Sequence, residues 1–487
     1  METCLAAEGL SVVRGMNKLV KFGLHILSWN VGTASPPDDV GDLLHLAGQS
    51  QEPDMYVIGL QELNSKLSSF LVDLAFSDPW TILFTNSLAP LGYVKITSIR
   101  MQGVLLLVFV KCSHLPYIRD LETNYTRTGM FGYWGNKGGV TVRLSVYGHL
   151  ICFLNCHLPA HIENTSQRLD SFERILELQQ FTGSRAETIL NHDLVFWFGD
   201  LNFRIADHGL HFIRETISKK CYHLLWDKDQ LNRAKKTEPM LNGFLEGELQ
   251  FTPTYKFNLA STEYNMSGKK RKPAWTDRIL WRLKECSEAG GSEPPTSDPK
   301  KTISVILNTY NSQMQYGISD HKPVVGTFSL EVRMAGRPQA NGIGMGTVQE
   351  SRPSSEKCGW GQLWLDSLGG VRCKTGFESV VSWECHPLGL LFQVGFRCHT
   401  DYVTYLWVKD DELMVSDDVY QVYLNGEEIP SSGGEFLLCY YSSNMETIVG
   451  VSCPFQILPE CADGQLEIGN GMDVSCDNPA HGQMDTC

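Results

Sequence analysis

Between positions 19 and 330, apolar residues come in short runs separated by longer mixed segments. The runs are LHILSWNV (24–31), MYVIGLQEL (55–63), GVLLLVFV (103–110), GVTVRLSV (139–146), LICFLNCHL (150–158), DLVFWFGDLN (193–202), DRILWRL (277–283) and VVGTFSL (324–330). Several are apolar on both faces, as in strands buried inside a sheet. Between them, TSQRLDSFERILELQQF (165–181) aligns Leu169, Phe172, Ile175 and Leu176 on one stripe, which predicts an amphipathic helix. The pattern predicts an α/β domain over 19–333 with a large strand count. Residues 1–18 read as an N-terminal extension, with Met16 as an alternative start.

The pattern breaks at MAGRPQANGIGMGTVQESRPSSEKCG (334–359), rich in Gly, Ser and Pro, which predicts a linker. Farther on, DYVTYLWV, VYQVYLN, EFLLCYYSS and ETIVGVSCPFQI alternate apolar and polar residues within 401–457. Turn residues fall between them, predicting a small antiparallel β-sandwich over 389–458 that also takes in GLLFQVGF (389–396). The stretch 334–388 is linker followed by a segment without a matching strand pattern, and 459–487 reads as a disordered tail.

Composition is that of an ordinary globular chain, with 42% hydrophobic and 20% charged residues. Charge is unevenly placed. Residues 331–487 hold 8 basic and 22 acidic side chains, which accounts for the whole formal charge of −14 and leaves residues 1–330 neutral. The acidic C-terminal part should be repelled by anionic membranes and by nucleic acid, so the expected partner there is a protein. No apolar run approaches the ~18 residues of a membrane span. The N-terminus lacks a secretory pattern. The 15 cysteines include no CxxC pair, and several lie in apolar strands, which points to reduced cysteines in a cytoplasmic protein.

Polar residues recur at the ends of the apolar runs: Asn30, Gln61 with Glu62, Asn155 with His157, Asp200 with Asn202, Asp277, and Asp320 with His321. A carboxylate at the tip of a buried strand is costly unless something there uses it. Strands lying side by side would bring these ends to one rim. Carboxylate and amide oxygens are hard ligands suited to Mg²⁺, imidazoles can hydrogen-bond a phosphoryl oxygen, and a free Asp can orient water. HExxH, GxxxxGK[ST] and GxSxG are all missing, which argues against a zinc protease, a P-loop site and a serine elbow. Metal-assisted hydrolysis of a phosphate ester remains. Basic residues beside these motifs, KKRKP (269–273), Lys256, Lys137 in GNKGG and Arg204, would meet an anionic substrate. The aromatic segment TGMFGYWGN (128–136) reads either as core or as a loop touching acyl chains.

WFGDLNFR and KPAWTDRILW resemble the two signature motifs of the inositol polyphosphate 5-phosphatases, within the DNase I-like endonuclease/exonuclease/phosphatase superfamily. SWNVGT, IGLQELNS, GYWGNKGGV, NCHLPAH, PTYKF and SDHKP occur in the family's order. The form resembled carries a SKICH domain after the catalytic domain. The resemblance implies a four-layer α/β sandwich followed by an Ig-like module. It implies Glu62, Asn30 and Asp320 at or beside Mg²⁺, Asp200 orienting the attacking water, and Asn202 helping to hold it. His321 would stabilise phosphate charge, Asp277 would orient His321, and His157 would contact phosphate. Tyr255, Lys256, Lys269, Lys270, Arg271 and Lys272 would read the 4-phosphate. Lys137 would approach the 1-phosphate side, and Arg204 would add charge. The motif usually has Cys where this chain has Thr276. The implied substrates are phosphatidylinositol 4,5-bisphosphate and 3,4,5-trisphosphate, with soluble inositol polyphosphates as a further class. Also implied are roles in insulin/Akt signalling and actin organisation, recruitment to endoplasmic reticulum and membrane ruffles, and peripheral membrane contact without nucleic acid. Two other readings stay open at this point, a superfamily nuclease and a catalytically dead scaffold.

Overall fold

The computed structural model describes residues 19–46, 52–64, 78–129, 135–182, 186–265, 267, 271–284 and 303–333 of the first compact unit, with 396–397. Of the second unit it describes 363–365, 371–376, 388–394, 401–407, 414–416, 419–424, 433–442, 447–451 and 455–457. The N-terminal extension, residues 130–134 of the aromatic segment, Lys269, Lys270, the linker 334–359 and the tail 459–487 lie outside these residues.

Among the described residues, twelve strands build the first unit. They are β1 (Leu19–Asn30), β2 (Met55–Gln61), β3 (Tyr93–Met101), β4 (Val104–Lys111), β5 (Ile118–Arg127), β6 (Gly138–Val146), β7 (His149–His157), β8 (Leu194–Asp200), β9 (Phe244–Glu246), β10 (Asp277–Leu283), β11 (Ile303–Ser312) and β12 (Val324–Arg333). They form two six-stranded sheets, in the orders β11-β12-β1-β2-β4-β3 and β5-β6-β7-β8-β10-β9. Each sheet holds one parallel pair at its centre, β1 with β2 and β7 with β8, among antiparallel neighbours. β2, β6, β7 and β8 are buried along their whole length and β4 at all but its last residue, which is why their sequences read as continuous apolar runs.

The sheets pack face to face. A Cβ on Gly59 would come 2.5 Å from the Phe198 ring and 2.8 Å from Asn155 Cγ, so a larger residue there would force the layers apart. Asn155 bridges the layers: its Nδ2 donates to the carbonyls of Leu105 (2.8 Å) and Leu60 (3.3 Å), and its Oδ1 accepts from Gln61 Nε2 (2.7 Å). These two strand-end amides therefore hold the sandwich together.

Helices cover the outer faces. Helix α1 (Pro79–Leu88) begins at an Asp78 cap that accepts from Trp80 N and Thr81 N, with Pro79 at its first position. Its Trp80 and Phe84 pack with Trp29, Tyr56 and Tyr93 on one sheet. Helix α2 (Thr165–Leu178) buries Phe172 and Ile175 against the other sheet, with Phe172 stacked on Trp197 at 3.8 Å between ring centroids. The layers are thus α/β/β/α. Among the described residues Cys112, Cys152, Cys156 and Cys221 are free, and Cys152 and Cys156 pack as small hydrophobes.

A buried ion network braces β10 directly behind the site. Arg278 is fully buried and donates to Glu246 Oε1 (2.6 Å) and Oε2 (2.7 Å), to Asp229 Oδ1 (2.9 Å) and to Asn232 Oδ1 (3.2 Å). Replacing Arg278 with leucine strands two buried carboxylates. The expected cost is about 3–5 kcal/mol, measurable as a lowered midpoint in chemical unfolding.

The second unit contains two antiparallel sheets. One is formed by strands at Leu363–Leu365, Val371–Gly376, Val419–Leu424 and Met414–Ser416. The other is formed by Thr404–Trp407, Leu388–Gln393, Gly434–Ser442 and Thr447–Val451, with Phe455–Ile457 also paired to Gly434–Ser442. Two of these strands, Leu363–Leu365 and Val371–Gly376, fall in the stretch where the sequence shows no strand pattern.

Candidate active site

The strand register assembles the site. Across one sheet, Gly138, His157, Asp200 and Asp277 stand in a single row of Cα partners. In the facing sheet the parallel pair places Asn30 opposite Gln61, and Glu62 follows at once. Backbone turns then aim the side chains. Glu62 has φ +56° and Asn202 has φ +58°, left-handed conformations that end their strands abruptly. Gly199 has φ +130°, and a Cβ there would lie 2.0 Å from the Cys156 carbonyl oxygen, so only glycine lets Asp200 sit where it does.

Asp200 is 1% exposed and lies at the centre. Its Oδ2 accepts from Asn30 Nδ2 at 2.9 Å, and its Oδ1 accepts from Asn202 N at 3.2 Å. His157 Nε2 is 3.3 Å from Oδ2, and His321 Nε2 is 4.0 Å away. Burial works against charge on this carboxyl. His321, His157 and Lys137 outweigh it and hold the group well below the usual carboxylate range.

The two imidazoles differ. Burial lowers the basicity of both. For His321 the carboxylates of Asp277 and Asp200 overcome that effect and raise it to about 9. For His157 the nearby Lys137 amine adds to burial, and the net direction is down despite Asp200 and Glu62. At neutral pH the pair is therefore one imidazolium, His321, and one neutral ring, His157. His321 Nδ1 faces Asp277 Oδ2 at 2.9 Å, which leaves Nε2 toward the cleft.

Basic side chains line the same cleft. Lys137 contacts His157 Nε2, and burial, only partly offset by Asp200 and Glu62, lowers its amine to about 8. Gly138 next to it has φ +142°, where a Cβ would meet the Thr126 carbonyl oxygen at 2.0 Å. Arg204 stacks over the Tyr255 ring at 4.4 Å and donates to Asn202 Oδ1. Tyr255 also packs on His321 at 4.5 Å between ring centroids and receives a hydrogen bond from Arg271. Lys272, the next residue after Arg271, is half-buried. Lys256 pairs with Asp320, which draws Asp320 toward the basic cluster.

Among the described residues, two groups of side chains could hold a metal ion: Glu62, His157 and Asp200, and Asp200, Asp277 and His321. The second is a poor cage, because Asp277 Oδ2 already accepts from Thr254, Thr276 and His321. The first fits a hard divalent cation better. The Glu62 side chain is 44% exposed, and its Oε1 is 3.6 Å from His157 Nε2 across the cleft from Asp200.

Some contributors carry no sequence signal of their own. Thr254 and Ser319 sit inside the PTYKF and SDHKP neighbourhoods without standing out as chemistry. Ser319 Oγ donates to the Asn30 carbonyl at 2.7 Å and accepts from His321 N at 3.2 Å, tying two catalytic loops together.

Comparison with known proteins agrees with this geometry. Residues 27–327 match the family described as Endonuclease/Exonuclease/phosphatase family 2, and residues 388–457 match the SKICH domain. Over 439 residues the chain is 48% identical to phosphatidylinositol 4,5-bisphosphate 5-phosphatase A of Homo sapiens, covering 90% of this chain and 42% of that protein's length. Over 436 residues it is 46% identical to inositol polyphosphate 5-phosphatase K of Mus musculus, covering 90% of each. Among solved structures, the inositol polyphosphate 5-phosphatase domain of SPsynaptojanin in complex with inositol (1,4)-bisphosphate and calcium ion is 29% identical. Its TM-score is 0.53, over 65% of this chain and 87% of that one.

Proposed function

Because the chain belongs to the inositol polyphosphate 5-phosphatase family, we propose that it is a divalent-metal-dependent phosphoinositide 5-phosphatase. The observation that carries the reading is the His157–Asp200–Asp277 row, with His321 held on Asp277 and Glu62 facing it. Its substrates are phosphatidylinositol 4,5-bisphosphate and phosphatidylinositol 3,4,5-trisphosphate, and soluble inositol polyphosphates are a further class. Glu62, with Asn30 alongside, would hold Mg²⁺ as the divalent ion. When bound, it supplies Lewis-acid stabilisation of charge on the phosphoryl oxygens.

The chain's own residues divide the remaining work. Asp200 orients the attacking water and, being a weak base, takes up its proton only as the bond to phosphorus forms. The Asn202 backbone N–H fixes the Asp200 carboxylate, while its side-chain amide donates to the Leu158 carbonyl. The His321 imidazolium offers an Nε2–H donor to the phosphoryl group, whose negative charge grows in the transition state. Neutral His157 and the Lys137 amine contact the phosphate from the other side. Arg204, Tyr255, Lys256, Arg271 and Lys272 receive the 4-phosphate. Lys269 and Lys270 join them on the strength of sequence position alone.

Among the described residues, no helix is long and apolar enough to cross a membrane. The enzyme works on lipid headgroups by peripheral contact. The SKICH module, within the acidic part of the chain, takes a protein partner that brings it to endoplasmic reticulum and ruffling plasma membrane, where it acts on actin organisation and insulin/Akt signalling.

Two measurements test this reading. Chelation should abolish phosphate release, and Mg²⁺ should restore it. Lys256→Ala should raise KM about 10- to 100-fold for inositides bearing a 4-phosphate, with little change in kcat, because a charge-assisted contact is lost. A similar rise for a substrate lacking the 4-phosphate would remove Lys256 from that role.

A further inference from the structure

Asp277 acts through one oxygen. Its Oδ2 accepts from Thr254 Oγ1 at 2.6 Å, from Thr276 Oγ1 at 2.9 Å and from His321 Nδ1 at 2.9 Å. Its Oδ1 is buried with no hydrogen-bond partner. Thr276 Oγ1 also lies 3.4 Å from His321 Nδ1, so the hydroxyl flanks the direct hydrogen bond between the carboxylate and the imidazole. Both threonines and Asp277 are fully buried.

A buried carboxylate that merely needed neutralising would gain most by spreading its donors over both oxygens. Here three donors converge on one oxygen, and the other has none. That arrangement fixes the rotation of the carboxyl group about its Cβ–Cγ bond. It also points the single loaded oxygen at His321. The backbones of the same two threonines reach the other parts of the site. The Thr276 carbonyl accepts from Leu201 N (2.8 Å) and Asn202 N (3.2 Å), fastening the turn after Asp200. The Thr254 carbonyl accepts from Lys322 N (3.0 Å), fastening the chain after His321.

We propose that Thr254 and Thr276 are positioning residues for the reaction. Their hydroxyls lock Asp277 Oδ2 onto His321 Nδ1 and so keep His321 Nε2 aimed into the cleft beside Asp200. The inference rests on the hydrolase reading above. Neither hydroxyl touches substrate; both act through Asp277. Without one of them the carboxylate can turn, and His321 loses its fixed direction while the substrate-binding side chains stay in place.

The test is steady-state phosphate release from phosphatidylinositol 4,5-bisphosphate by the full chain and its variants. Thr276→Val keeps shape and removes the hydroxyl. It should lower kcat about tenfold, the effect of losing one hydrogen bond to a charged group, with KM held within about twofold. Thr276→Ser, which restores the hydroxyl, should recover kcat to within about threefold of the parent. Thr276→Cys, with its weaker donor, should fall between them. In an Asp277→Ala background, Thr276→Val should change kcat less than about twofold, since the two act through one group. A parental kcat in Thr276→Val, an equal loss in Thr276→Ser, or the full tenfold loss persisting without Asp277 would each overturn the proposal. If the valine variant does not fold, the serine–cysteine pair decides: cysteine below serine supports the role, and equality overturns it. A parent chain that releases no phosphate overturns the hydrolase reading and this inference together. An active parent with a silent Thr276→Val overturns the inference alone.

Discussion

Asp200→Asn is expected to lower kcat by about 10³–10⁴-fold while leaving KM close to that of the parent chain. The substitution is isosteric. It removes the acceptor proposed to orient water and the charge that His321, His157 and Lys137 gather around. An asparagine amide cannot take a proton from water, and its NH₂ group would face the Asn30 amide or the Asn202 N–H. Single-turnover and steady-state rates on the same protein would separate this chemical loss from a binding defect. A fall confined to KM would place Asp200 in substrate binding and not in the attack.

His321→Ala is the second large effect, an expected loss of about 10²–10³-fold in kcat. The imidazolium is the buried cation aimed at the phosphoryl side, raised to about 9 by Asp277 and Asp200 against the effect of burial. Asp277→Asn should cost about tenfold to a hundredfold, because the ring keeps its place but loses the carboxylate that keeps it charged and oriented. The double variant should be no worse than His321→Ala alone. Residues that act as one unit are not additive. Losses that multiply would mean that Asp277 contributes separately from His321.

The sequence reads well where the chain is buried on both sides and poorly at the margins. The eight apolar runs all become strands of the first unit. The four strands the pattern passes over are β3, β5, β9 and β11, and these are the four sheet edges. Edge strands face solvent along one side, so their side chains alternate or mix, as in the exposed and half-buried positions of Ile118–Arg127 and Ile303–Ser312. Helix α2 follows its predicted stripe, but it also buries Arg168, whose guanidinium satisfies the carbonyls of Pro159 and His161. Hydropathy does not reveal that use of an arginine.

For the site, strand-end polarity was a sound guide to position and a weaker guide to role. Asn155 and Gln61 share the signature of Asp200 and His157, yet they spend their hydrogen bonds joining the two sheets. Asp320 stands beside His321 in sequence, but its carboxylate meets Lys256. Thr276 looks like a neutral neighbour of Asp277 until its hydroxyl is placed beside the carboxylate–imidazole hydrogen bond. Such distinctions depend on which partner a side chain meets across hundreds of residues, as between Asn30 and Asp200, and no local pattern carries that information.

The central claim is that this cleft removes the 5-phosphate, and the most direct measurement is product identification. The intact chain is incubated with vesicles containing phosphatidylinositol 4,5-bisphosphate and Mg²⁺, and the lipid product is resolved by which phosphate remains. The account predicts phosphatidylinositol 4-phosphate and inorganic phosphate in equal amounts, with both absent under chelator and in Asp200→Asn. Release of the 4-phosphate, or the same release by Asp200→Asn, would contradict it.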